Sequence, residues 1–264
     1  MEDIKFSVIM PAYNAENEIL SSIESVLNQT YFNYELIIVD DCSNDKTYDL
    51  IKKVESENNK IKVIRHDINK KAGGARNTGI KEASGEYILF LDSDDVLHDN
   101  DVLLKIRETL GNDRPDIVYL GFESVGDTIQ GIFLPNEDNS IKENRLLKWN
   151  YANVWDVLWK KEFITDNKMK FVEGKYFEDF VFYYTGVLKS NSYKFTEFPT
   201  FIYNSGRKES MTTKITPSKI EDLYYNMMCF ASIIDEVDEK YKSMIIDILK
   251  DHNRYANELL NKML

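Results

Sequence analysis

Three carboxylates crowd one predicted strand end. The run Tyr87 to Leu91, Y-I-L-F-L, has the apolar character of a buried strand and leads directly into Asp92, Ser93, Asp94 and Asp95. In open α/β sheets, ligands gather at the carboxyl ends of strands. A cluster of acids there offers hard oxygen ligands to Mg²⁺ or Mn²⁺, and such an ion can hold a diphosphate. Leu97 stands where an EF-hand loop needs its glycine, so this is not that calcium loop. An isolated D-x-D is commonly only a solvated turn, and its weight here comes from four other segments.

Pro11-Ala12-Tyr13-Asn14 follows the first predicted strand and could offer a flat surface and backbone hydrogen bonds to a nucleotide base, or serve only as a strand-to-helix turn. Asp40-Asp41-Cys42-Ser43 follows the second strand. One of its acids could accept from a base N–H or ribose hydroxyls, while Ser43 or Asn44 caps the next helix. In Gly73-Gly74-Ala75-Arg76-Asn77-Thr78-Gly79, Gly74 and Gly79 have P-loop spacing, but Ile80 replaces the required lysine. The segment therefore reads as a glycine-permitted close approach, with Arg76 directed at a phosphate or at Asp92, or as a surface arginine on a capped helix. In Glu173 to Phe180, the adjacent acids Glu178 and Asp179 open an apolar helix. They either complement the helix dipole or supply a general base. A helix N-terminus lowers a carboxylate pKa, and burial beside Phe177 and Phe180 opposes that effect.

These segments are positioned by alternating strand and helix patterns. Strands are predicted at Phe6–Met10, Tyr34–Val39, Ile61–Ile64, Tyr87–Leu91 and Asp116–Phe122. Helices are predicted at Glu16–Leu27, about Lys46–Val54, about Gly74–Ala83 and Val102–Leu110, with Gly85 and Gly111 as C-caps. Short crossovers of this kind predict a mostly parallel, doubly wound sheet. Gly121 to Leu134 has the pattern of a hairpin, Trp155 to Trp159 is half-buried, and an amphipathic helix begins near Glu178. Beyond Pro217 the pattern is wholly helical, with stripes from Ile220 to Ile234 and from Tyr241 to Met263.

The 264 residues suffice for one large α/β domain and a small appendage. A net charge of −12 excludes general nucleic-acid binding, which needs a basic face. Cys42 and Cys229 are too few for a disulfide framework or a zinc site. No apolar run approaches the ~20 residues that span a bilayer, and the acidic start Met1-Glu2-Asp3 is not a secretory signal. The expected location is the cytoplasm, with peripheral contact at the inner face of the membrane left open.

The segments V-I-M-P-A-Y-N, I-I-V-D-D-C-S-N-D, G-G-A-R-N-T-G, F-L-D-S-D-D and E-G-K-Y-F-E-D-F occur in that order, followed by Tyr203 to Thr212 in the pattern Y-x-x-R-x-x-S-x-T. Together they resemble the family 2 glycosyltransferases of GT-A fold. The resemblance implies a catalytic domain over 1–213 with a Rossmann-like, mostly parallel sheet and a helical segment over 214–264. It implies that Pro11, Ala12, Tyr13 and Asp41 hold a base, by analogy uracil. Arg76, Asp92 and Ser93 would lie near the ribose and diphosphate, and Asp94 would bind Mn²⁺ or Mg²⁺. Asp179 would be the catalytic base with Glu178 beside it, and Arg207 and Ser210 would sit on a loop, Gly206 to Lys219, that closes over the diphosphate. The implied reaction is inverting hexosyl or N-acetylhexosaminyl transfer from a UDP-sugar to a hydroxyl of a glycan or lipid-linked acceptor, in surface polysaccharide synthesis. Phe122 to Tyr151, the acceptor region, matches nothing specific. A sugar-nucleotide pyrophosphorylase would need a glycine- and lysine-rich first loop, which Pro11 to Glu16 lacks. A non-catalytic nucleotide-sugar binding subunit would fit the loss of Asp94 or Asp179, yet both are present. The segment Ser218 to Leu264 is expected to serve assembly, as a homodimer contact, more than chemistry.

Overall fold

The computed structural model describes residues 3–126, 130–140, 142–147, 153–205 and 216–263. The chain runs β1 (Phe6–Ala12), α1 (Ile19–Leu27), β2 (Tyr34–Asp40), α2 (Thr47–Glu57), β3 (Ile61–Arg65), α3 (Lys71–Glu82), β4 (Tyr87–Phe90), β5 (Val96–Leu97) and α4 (Val102–Leu110). It continues with β6 (Ile117–Gly126), β7 (Gly131–Phe133), α5 (Glu137–Ser140), α6 (Lys142–Leu147), β8 (Val157–Lys160), α7 (Lys161–Asp166) and α8 (Asp179–Lys189). It closes with β9 (Tyr193–Ser205), α9 (Pro217–Ala231), a 3₁₀ turn over Ile234–Glu236, and α10 (Glu239–Met263).

One sheet runs in the order β3-β2-β1-β4-β8-β6-β9-β5, with β7 paired to β6. Its first four strands are parallel. Beyond β4 it becomes mixed, because β8 enters antiparallel between β4 and β6, with Tyr87 opposite Lys160 and Ile117 opposite Trp159. The predicted hairpin is the antiparallel β6–β7 pair.

Both faces of the parallel half are covered, which is why its strands read as continuous apolar runs rather than alternating ones. Val8, Met10, Leu36 and Ile38 share one cluster with Ile19 and Ile23 of α1 and Leu103 and Ile106 of α4. Ile9, Ile37, Ile88 and Phe90 point the other way, into a cluster with Phe180, Tyr184, Leu223, Phe230, Ile245 and Leu259. The two C-terminal helices therefore share a core with the sheet itself, which takes up most of the apolar surface that the sequence assigned to assembly. Met228, at 73% exposure, and Ile246 and Leu260 are the large apolar residues these helices still present to solvent. Among the described residues, no helix is long and apolar enough to cross a membrane.

Two capping expectations are corrected. Gly111 does close α4, with φ of 58°. Gly85 caps nothing: α3 ends in an extended Ala83, and a Cβ on Gly85 would lie 2.6 Å from the Ser7 backbone nitrogen. That glycine exists for close approach to the chain entering β1. Ser43 does not cap α2 either; its hydroxyl accepts from the Asn14 N–H at 3.0 Å, tying the two nucleotide-side turns together. Asp45 accepts from the Thr47 N–H at 2.9 Å in its place.

Candidate active site

The carboxyl ends of β1, β2 and β4 gather the segments singled out in the sequence. Pro11 and Ala12 are the last residues of β1 and are buried, whereas Tyr13, one step beyond, is 48% exposed. The Asp41 N–H donates to the Ala12 carbonyl at 2.8 Å, which sets the Asp41 side chain beside that turn. Asp41 is buried. Its Oδ1 accepts from the Lys70 N–H at 2.8 Å and lies 2.7 Å from His66 Nδ1, while Oδ2 is buried with no hydrogen-bond partner among the described residues. His66 Nε2 in turn lies 2.9 Å from Thr78 Oγ1. A carboxylate only accepts, so its contact fixes the His66 proton on Nδ1. His66 carries no motif in the sequence, and its bracing of Asp41 was not legible there.

α3 begins a turn earlier than predicted, so Gly73 and Gly74 lie inside the helix, not in a phosphate-facing loop. Their close approaches are to protein. A Cβ on Gly73 would sit 2.7 Å from the Val172 carbonyl and 3.1 Å from Glu178 Cβ, and one on Gly79 would sit 2.3 Å from Ile9 Cγ2. The missing side chains let α3 press onto β1 and onto the segment that precedes α8. That packing places Arg76 at the centre of the site.

Arg76 is 3% exposed and serves three acids. Nη1 donates to Glu178 Oε1 at 2.8 Å and to Asp179 Oδ1 at 2.7 Å, and Nη2 donates to Asp92 Oδ1 at 2.7 Å. A planar guanidinium suits this division because its donors diverge in fixed directions. The predicted direction of Arg76 toward Asp92 is the one observed.

Asp92, Asp94 and Asp95 each place a carboxylate oxygen within 4.8 Å of the others. Asp92 is engaged by Arg76, and the buried Asp95 accepts from the Asn204 N–H at 3.3 Å. The Ser93 carbonyl accepts from Ser22 Oγ at 2.9 Å, which anchors the turn to α1. Three carboxylates at this spacing, with Asp94 between the two that are tied to protein, form an all-oxygen donor set suited to Mg²⁺ or Mn²⁺.

Glu178 precedes α8 and Asp179 is its first residue. Three carboxylates share one guanidinium, so the site carries more negative than positive charge. Burial pushes the Asp179 carboxyl well above the ordinary range; Arg76 opposes that shift, and Glu178, Asp92 and Asp156 add to it. The competition posed in the sequence between helix dipole and burial is thus resolved on the side of burial. Arg207 and Ser210 lie outside the described residues, as does most of the Gly206 to Lys219 loop; its final residues, Pro217 to Lys219, form the start of α9. Trp149 also lies outside them. Trp155 and Trp159 are buried, with Trp155 stacked on Tyr203 at 5.3 Å, so both belong to the core.

Residues 7–174 match the family model Glycosyl transferase family 2. The chain is 42% identical over 149 residues to the UDP-Glc:alpha-D-GlcNAc-diphosphoundecaprenol beta-1,3-glucosyltransferase WfgD of Escherichia coli, covering 56% of this chain and 57% of that one. It is 34% identical over 177 residues to an uncharacterized glycosyltransferase of Haemophilus influenzae, covering 67% of this chain and 69% of that one. In three dimensions it matches residues 1–349 of S. aureus TarS in complex with UDP-GlcNAc, with a TM-score of 0.79, 24% identity, and coverage of 94% of this chain and 72% of that one. At that identity the likeness is one of fold: a mixed sheet with flanking helices in the GT-A arrangement. The match spans a little over half the length of the E. coli relative.

Proposed function

Since the chain belongs to the family 2 glycosyl transferases, we propose that it transfers a sugar from a UDP-sugar to a hydroxyl of a glycan or lipid-linked acceptor, with inversion, in polysaccharide synthesis. The observation that carries this reading is the sharing of Arg76 between Asp92 of the acid cluster and Asp179 of α8, at 2.7 Å each. One buried cation sets a donor-side cluster and a candidate base at opposite ends of its fork.

The residues take these parts. Tyr13 and the Pro11–Ala12 backbone flank the uracil, and the partnerless Asp41 Oδ2 accepts from its ring N–H. A buried acceptor without a donor costs about 1–3 kcal/mol, so a ligand that satisfies it gains affinity and selectivity. Asp94 holds a divalent cation, with Asp92 and Ser93 alongside; when bound, the ion neutralises charge on the departing diphosphate. Arg207 and Ser210 contact that diphosphate from the loop before α9. Asp179 takes the proton of the acceptor hydroxyl, for which a raised pKa is an advantage, and Glu178 holds Arg76 in place. A single base facing away from the leaving group gives one in-line displacement and inversion.

The donor is UDP-glucose or UDP-N-acetylhexosamine, a choice supported by the E. coli relative, whose name specifies UDP-Glc and a diphosphoundecaprenol-linked acceptor. The catalytic region is assigned to 1–213 and the helical segment to 214–264. The exposed Met228, Ile246 and Leu260 support contact with a second copy or a peripheral membrane contact at the cytoplasmic face; light scattering across a concentration series tests the dimer. The deciding experiment for the activity is a panel of nucleotide sugars assayed for release of free nucleotide, with and without Mn²⁺ and crude acceptor lipid. Release that ignores the uridine compounds, or that is unchanged by chelator, would sink the proposal.

A further inference from the structure

The segment leading into Asp179 is gripped from an unexpected side. Asp222 and Asn226 lie one turn apart on α9, at 3% and 0% exposure. Asp222 Oδ2 accepts from the Tyr176 N–H at 3.0 Å, and Asn226 Nδ2 donates to the Tyr176 carbonyl at 2.8 Å. Both backbone polar groups of one residue, three before Asp179, are therefore held by side chains from the same helix face. Asp222 also draws in Lys175, at 2.8 Å through Oδ1, and Lys71 at the start of α3, at 3.2 Å through Oδ2. Asn226 Nδ2 reaches back to the Asp222 carbonyl at 2.8 Å, which fixes the amide's orientation.

The backbone beyond this grip is strained. Phe177 has φ of 59°, the left-handed region that a bulky side chain avoids. Such a residue costs on the order of 1–3 kcal/mol and persists only where its surroundings over-determine it. On one side, the Tyr176 peptide groups are pinned by α9. On the other, the Phe177 carbonyl accepts from the Phe180 N–H at 3.2 Å in the opening turn of α8. Gly174, with φ of 69°, donates to the Lys70 carbonyl at 2.8 Å and completes the tether to α3. The direction in which Asp179 leaves the backbone follows from this kink.

We propose that Asp222 and Asn226 are positioning residues for Asp179, making α9 part of the catalytic architecture rather than an assembly appendage. The inference rests on the reading of Asp179 as the base. Without the grip, Phe177 relaxes toward an extended or helical conformation and Asp179 swings away from its place against Arg76. A displacement of about 1 Å at a reacting group costs up to ~10²-fold in rate. The nucleotide side, built on β1, β2 and β4, is unaffected.

The test is steady-state turnover of the nucleotide sugar selected by the release panel, with UDP binding in Mn²⁺ measured separately, in the full chain. Asp222→Ala and Asn226→Ala are each expected to lower kcat by ~10- to 100-fold, with donor KM and the UDP Kd within twofold of wild type. Asp222→Asn retains an oxygen for the Tyr176 N–H and should recover most of the rate. On a background of Asp179→Asn, adding Asp222→Ala should cost nothing further. Wild-type kcat in folded Asp222→Ala and Asn226→Ala overturns the positioning role. So does a loss that follows the fall in melting temperature and extends equally to UDP binding, since that assigns the pair to stability alone. Full turnover in Asp179→Asn removes the base reading itself, and is distinguished because it requires no change on α9.

Discussion

Arg76 Nη1 meets Asp179 Oδ1 at 2.7 Å across 103 residues of sequence, and the guanidinium that makes this contact is 3% exposed. A buried cation with three acidic partners is costly to disturb. Removing one member of a buried ion pair typically costs 3–5 kcal/mol, because the other is left uncompensated. Arg76→Leu is therefore expected to destabilise the fold by about that amount, measured by urea unfolding. Arg76→Lys keeps the charge but cannot reach Asp92 and Asp179 together, and should lose turnover while remaining better folded than the leucine variant. Equal stability of wild type and Arg76→Leu would show that the acids are satisfied by solvent.

Asp179→Asn should lower turnover by ~10² to 10⁴, the usual contribution of a positioned proton acceptor, with donor affinity nearly unchanged. Glu178→Gln should be milder, since Glu178 touches Arg76 and is buried at 6% exposure. A severe Glu178→Gln with a mild Asp179→Asn would transfer the base role to the neighbouring residue.

Asp94→Asn should weaken divalent-cation and UDP binding together. At ~100 times its Kd, UDP with Mn²⁺ should stabilise the wild-type fold by ~2.7 kcal/mol, and this shift should shrink in the variant and in excess chelator. An identical thermal shift in wild type and Asp94→Asn would reduce the acid cluster to a turn.

Asp156 provides a pH signature independent of catalysis. It is buried at 2% exposure, 3.6 Å from Arg145. Burial raises its carboxyl to about 7, against the opposing effect of Arg145. An acid whose folded pKa exceeds its unfolded value binds more protons when folded, so stability falls as pH rises from about 4 to about 7 and levels off above. Asp156→Asn cannot ionise, and its melting temperature should decline less steeply than that of wild type between pH 5 and 7.5. Parallel curves for the two proteins would show that Asp156 is already ionised below that window.

The parallel half of the fold was legible because each of its strands is a short apolar run between turn signals, and both faces of the sheet are covered. Glycine at 111 announced the end of α4 for the physical reason observed, a positive φ. The mixed half was less legible: nothing local in Val157 to Lys160 says that it inserts between β4 and β6, since partner choice is made by packing over long sequence separations. Among site residues, Asp92, Asp94, Arg76, Glu178 and Asp179 stand in motifs and are brought together. His66, Asp222 and Asn226 stand in none. They act on Asp41 and on the Tyr176 backbone, and a side chain whose partner is a main-chain group leaves no pattern in residue types. The glycines at 73, 74 and 79 were visible, but whether the close neighbour would be a phosphate or another strand could be read only from the packed helix.

The placement of β8 has a consequence for synthesis. The strand that leads to the acid cluster, β4, gains its second neighbour only when Val157 to Lys160 arrives, after α4, β6 and β7 have been made. Until then Tyr87-Ile88-Leu89-Phe90 presents an unpaired apolar edge on the emerging chain, a ready template for pairing with another molecule. Fragments ending between α4 and β8 should therefore aggregate, whereas those that include β8 close the edge. The donor side of the site is thus encoded early but completed late, and holding that edge unpaired is a task that falls to the ribosome and to chaperones.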